Sequence, residues 1–235
     1  MSRRTAVIIA GLSVLAAASD RADAAPVAPV KNAHIVEVAP PRPLEPAATT
    51  KSANWATSLK AVDVRMRNTG AQSKIRLYAD DGTIDTKSAR EFMNVAASVK
   101  GLDEPLPKRL IQLVYRASYH FAKTSGEGAN IVIVSATRKG AHGKHGKGEA
   151  IDFQLEGVSA SALAAYLRGT PRAGIGIYTH PKTQYVHLDV RDRSYHWIDG
   201  SPPGVTWREK LLGDPNQAKR DASYDTLNDL PESAR

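Results

Sequence analysis

A chain of 235 residues, 42% hydrophobic and 24% charged, is long enough to bury one core of moderate size and too apolar to be disordered throughout. Its formal net charge of +8 draws it toward anionic polymers without choosing among them; lacking an aromatic-rich basic motif, it is not expected to bind nucleic acid. There is no cysteine, which excludes disulfides and leaves His, Asp and Glu as the side chains able to hold a metal tightly.

In chain order, Arg3 and Arg4 precede an apolar run from Ala6 to Ala18, and Ala22-Asp23-Ala24 closes the segment in small residues. Residues 1–24 therefore read as a secretory signal directing export to the periplasm. The run falls short of the about 20 apolar residues of a membrane span, so no stable membrane insertion is expected after cleavage. Ser2-Arg3-Arg4 leaves the twin-arginine route open beside the general one. Residues 25–55, rich in Pro and Ala, read as a flexible tether. Residues 56–212 carry the folded domain, and 213–235 are expected to be a disordered tail.

Within the domain, Val62, Val64 and Met66 alternate with polar residues, as do Ile75 and Leu77, predicting a hairpin of exposed strands. Asp80-Asp81-Gly82 marks a turn. Ser88 followed by Glu91 resembles a capping box opening a helix through about Val99. Leu106, Leu110, Leu113, Val114, Ala117 and Phe121 share one face of a second helix. Asn130 to Val134 is a short apolar run of buried-strand type. Ser159 to Leu167 reads as a third helix stopped by Gly169 and Pro171, followed by strands at Ile175–Tyr178 and Tyr185–Val190. Helices first, then strands with one inserted helix, predict an α+β fold: a small antiparallel sheet with helices packed on it.

The chemistry concentrates in Ser135, Arg138, His142, His145, Gly148, Ala150 and Asp152, and later in Val186-His187-Leu188-Asp189. Glycines after His145 allow a tight turn. Ala150 and Asp152 lie two apart, on one side of a strand, and the small residue leaves room beside the acid. Two histidines and a carboxylate from separate segments match a catalytic zinc site whose fourth position is left to water. By themselves the same residues suit better a flexible basic loop, a turn-capping aspartate and a half-buried strand histidine.

Ser135-x-x-Arg138, His145 to Asp152 with Gly148 and Ala150, Gly174-Ile-Gly176-Ile-Tyr178, Val186-His187-Leu188-Asp189 and the closing Tyr195-His196-Trp197 occur in that order. Over roughly residues 76–197 this set resembles the LAS-type zinc peptidases, which group D-Ala-D-Ala carboxypeptidases with hedgehog domains, and within them the MepK-type branch of murein endopeptidases. The resemblance implies a zinc-dependent murein peptidase acting on peptidoglycan cross-links or stems, with His145, Asp152 and His187 as zinc ligands. It implies that Arg138 polarises the substrate carbonyl or steadies the oxyanion, and that Ser135 positions loop or substrate. Tyr178 and Trp197 would border the substrate, Trp197 equally suiting a packing role. Many relatives carry an acid three residues before the last histidine; here that position is Gln184, and the MepK-type branch also lacks an acid there. Asp189 then suits either a general base or a carboxylate orienting His187, and His196 suits proton transfer. Arg191 reads as a surface charge. A D,D- or L,D-carboxypeptidase or dipeptidase, and a non-catalytic wall-binding protein with structural zinc, stand as alternatives; oligomeric state is left open.

Overall fold

The alternation at Val62, Val64 and Met66 is the inward face of the first strand, β1 (Val62–Met66), whose residues are buried and exposed in turn. A computed structural model describes residues 55–97, 105–122, 126–138, 140, 142–205 and 210–235. The signal segment and the tether up to residue 54 lie outside these residues, as does the end expected for the first helix near Val99. Among the described residues no helix is long and apolar enough to cross a membrane.

β1 pairs antiparallel with β2 (Gln72–Ile75), Val62 facing Ile75. The expected hairpin is present, but only β2 is an edge. On its other side β1 pairs in parallel with β3 (Ile131–Ser135), and its alternate apolar residues are buried in the core beneath the helices. The sheet continues through β4 (Ala150–Leu155), β5 (Ala173–Tyr178), β6 (Val186–Val190), β7 (Tyr195–Asp199) and the short β8 (Lys210–Leu211). Among the described residues its eight strands run in the order β2-β1-β3-β4-β6-β5-β7-β8. The α+β class holds. The sheet is larger than anticipated and mixed, because β1–β3 and β5–β7 are parallel pairs.

Helices α1 (Thr86–Ala96), α2 (Lys108–His120) and α4 (Ala160–Leu167) cover one face. The cap of α1 differs from the expected one. Asp85, not Ser88, is the N-cap, accepting from the Ser88 N–H at 2.6 Å, while Glu91 accepts from the Ser73 hydroxyl. Ser159 caps α4 as expected, accepting from the Ala162 N–H at 3.2 Å. On α2, Leu110, Leu113, Val114 and Ala117 are buried against Val64, Ile133, Phe153 and Leu188 of the sheet's inner face; each large side chain so placed contributes about 1.5–3 kcal/mol. Among the described residues no long helix covers the opposite face of the sheet, and its polar row holds the candidate site.

The C-terminal segment corrects an expectation. Residues 213–235 form α5 (Gln217–Ala222) and 3-10 turns at Thr226–Asp229 and Glu232–Ala234. Asp221 accepts from the Arg172 N–H (2.6 Å) and from the backbone and hydroxyl of Ser194 (2.8 and 2.6 Å). Asp229 pairs with Arg109 at 3.0 Å and accepts from the Tyr224 hydroxyl at 2.6 Å. The segment is fixed by long-range polar contacts, which leave no apolar periodicity in the sequence.

Candidate metal centre and open face

Register places the candidate residues in one row. Ser135 on β3 faces Asp152 on β4, Asp152 faces His187 on β6, His187 faces Gly176 on β5, and Gly176 faces Trp197 on β7. Directly opposed residues share a face of the sheet, so five strands deliver one line of side chains to the open side. An irregularity between Ile133 and Ser135 shifts the alternation of β3 and brings Ser135 onto that side. His145 arrives separately, on the single-turn α3 (Gly143–Gly146). His142 is exposed at the start of that turn.

Three ligand atoms converge. His145 Nε2 lies 3.2 Å from Asp152 Oδ1 and 3.1 Å from His187 Nδ1, and His187 Nδ1 lies 2.9 Å from the same oxygen. The outer ring nitrogens fix the tautomers. His145 Nδ1 is 2.7 Å from the Ala136 carbonyl, which can only accept, so this nitrogen carries the proton. His187 Nε2 is 3.1 Å from Asp189 Oδ2 and likewise donates. In its neutral form each ring therefore turns a bare lone pair toward the other and toward a carboxylate oxygen. Such an arrangement repels itself unless a cation sits between, and donors of this type suit a divalent metal. Asp152 is 1% exposed. Burial works against its ionisation, yet contacts with His145 and His187 outweigh that and hold it well below the usual carboxylate range. His187 shows the converse: burial opposes its charged form, but Asp152 and Asp189 push its pKa up. The centre of the cluster favours positive charge.

Around these three, the structure assigns contacts that sequence alone left open. Arg138 Nη2 donates to the second oxygen of Asp152 at 2.6 Å, and its Nε donates to Ser135 Oγ at 2.6 Å. Ser135 thus orients the guanidinium, which remains half-exposed beside the cluster. Asp189 sits behind His187, fully buried and gripped by both Nε (2.6 Å) and Nη2 of Arg191. Burial raises its carboxyl, but His187 and Arg191 prevail and keep it ionised. Asp189 therefore acts on His187 from the far side, which favours its orienting role over the base role. Arg191, read as a surface charge, is instead the partner that holds Asp189, reaching back from the residue that follows β6.

His196 is the clear departure. It faces Ile175 across β5–β7, and Ile175 faces Leu188, so its ring enters the helix-covered core, on the opposite side of the sheet from His187. Burial and the neighbouring Arg168 push its pKa down to about 4, leaving it neutral at physiological pH and unable to shuttle protons at the metal cluster. Strand alternation relative to Trp197 would have shown this, had β7 been recognised.

Trp197 does lie on the open face, its ring centroid 5.0 Å from that of His187 and 5.5 Å from Tyr195. Tyr178 and Tyr185 stack on the same face at 4.4 Å. Both β5 glycines are now explained. A Cβ at Gly176 would come within 3.0 Å of three indole atoms of Trp197, and one at Gly174 within 3.0 Å of Asp189 and Arg191. Replacing Gly176 by alanine is expected to push the indole against His187, costing about 1–3 kcal/mol of stability. Thermal unfolding and a metal titration would show it as a lower Tm and weaker metal uptake.

Neither the comparison with curated proteins nor that with solved structures gives a match. A protein-family model does match: residues 93–189, which include His145, Asp152 and His187, are similar to the Peptidase M15 family.

Proposed function

We propose that this chain is an exported zinc-dependent peptidase that hydrolyses peptide bonds in peptidoglycan cross-links or stems, of the MepK-type branch. The observation that carries the reading is the convergence of three lone-pair donors on the open face, within residues similar to the Peptidase M15 family, a likeness that implies metal-dependent peptidase activity. The signal-like residues 1–24 support a periplasmic site of action. His145 Nε2, His187 Nδ1 and Asp152 Oδ1 would hold the ion. Zinc held there would supply Lewis-acid polarisation of the peptide bond and activate water near neutral pH.

The chain's own residues do the rest. Ser135 and Asp152 hold Arg138 at the rim of the cluster, where its remaining donors meet the substrate carbonyl and the charge that develops on it. Ala136 and Asp189 keep both ligand rings in the tautomer that leaves the inner nitrogens free. Trp197 packs beside His187 and shields it from water. Gln184 cannot take up a proton, and Asp189 is turned away, so neither is assigned the base role.

Purified full-length protein, zinc-loaded or treated with chelator, would be incubated with defined muropeptide monomers and cross-linked dimers. Zinc-dependent cleavage of the cross-link is the expected result. Release of only a terminal residue would place the chain among the carboxypeptidases. No cleavage of any stem or cross-link, with retained binding to sacculi, would favour the wall-binding alternative.

A further inference from the structure

The open face is not uniform. On one flank of the metal row lie Trp197, Tyr195 and Leu211, the last two 39% and 60% exposed; on the other, arginines project from β1 and from the residue after it. Arg65 is closed off, bonded through Nε and Nη2 to Glu156 at 3.2 and 3.0 Å. Arg67 is not. Among the described residues no carboxylate pairs with it, and its guanidinium donates through Nη2 to Gln154 Oε1. Gln154 lies two residues from Asp152 on β4 and shares its face. Its amide NH₂ is committed to the turn before β6, donating to the Gln184 carbonyl at 2.6 Å and toward that of Thr183 at 3.4 Å. This fixes which way the amide points and leaves its oxygen to anchor Arg67.

A guanidinium has five donors in a planar fork. Here one nitrogen is used for anchoring, and the others are free on the side of the sheet that carries the metal row.

We propose that Arg67 forms a carboxylate-binding subsite, reading a free acid group of the peptide whose bond lies over His145, Asp152 and His187. The proposal rests on the peptidase reading and narrows its substrate class to acidic peptides, oriented with the carboxylate toward β1 and the apolar part toward Trp197. An anchored, unneutralised guanidinium beside a catalytic row suits a planar anion, and a lysine would supply the charge without the fork.

The test compares wild type, Arg67→Ala and Arg67→Lys on a cross-linked muropeptide dimer with free carboxylates and on the same dimer with those groups amidated. Arg67→Ala is expected to raise KM for the free acid about tenfold, with kcat and metal content nearly unchanged and the amide unaffected; Arg67→Lys should fall between. Direct calorimetric binding of the stem peptide, as free acid and as amide, needs no turnover and should show the same selectivity. Equal effects on acid and amide, or no effect on either, would overturn the subsite. If no variant cleaves either dimer, the peptidase reading fails, while the acid-over-amide binding preference and its loss in Arg67→Ala still decide the subsite.

Discussion

Replacing His187 by alanine is expected to remove the metal and lower turnover by about three orders of magnitude or more, some 4 kcal/mol of transition-state stabilisation. His187 Nδ1 is one of three converging ligand atoms, and the remaining pair, His145 and Asp152, cannot close a tetrahedral site. The fold should survive, because the ring lies on the open face and the helix-covered core is untouched. Metal analysis and muropeptide digestion on the same preparation read both effects. Asp189→Asn provides the graded contrast. It keeps the volume but weakens the grip on His187 Nε2, for which a loss of about 10- to 100-fold in metal affinity or activity is expected. Excess zinc should restore much of that activity if Asp189 only orients the ring. Full zinc occupancy with turnover as low as in His187→Ala would instead make Asp189 a participant in proton transfer.

The second large effect concerns stability. Asp221 is 8% exposed and receives the N–H groups of Arg172 and Ser194 together with the Ser194 hydroxyl. Arg172 adopts φ +52°, a conformation that costs a non-glycine residue energy, and the bond to Asp221 holds it there. Asp221→Ala would strand two backbone donors, at a cost of about 3 kcal/mol, equivalent to a fall of about 6–12 °C in Tm for a domain of this size. Burial alone would raise the Asp221 carboxyl, but Ser194 and Arg172 outweigh it and its pKa is lowered. The sign follows: its contribution is complete above the ordinary carboxylate range near pH 4 and is lost as pH falls through the lowered value. Urea unfolding at neutral and acidic pH would separate the two proteins in the first case and bring them together in the second. A change below about 0.5 kcal/mol, the size of an ordinary surface substitution, would mean that the C-terminal segment is not part of the folded unit.

What sequence could determine was whatever repeats locally or is fixed by residue type. The period-two burial of β1, the apolar stripe of α2 and the Ser159 cap of α4 were legible because each depends on neighbours a few residues away. Without cysteine, the donor set was restricted before any geometry was known, and the ordered motifs singled out His145, Asp152 and His187. Tertiary structure decided everything that depends on register and on distant partners. Strand pairing sent His187 and Trp197 to one face and His196 to the other, since a shift of one residue reverses a side chain. It also placed Asp189 behind its histidine, tied the C-terminal segment down through buried aspartates, and left Arg67 without a carboxylate among the described residues while Arg65 gained one. Ionic and hydrogen-bonded partners far apart in the chain leave no periodic trace, so only the assembled sheet could reveal them.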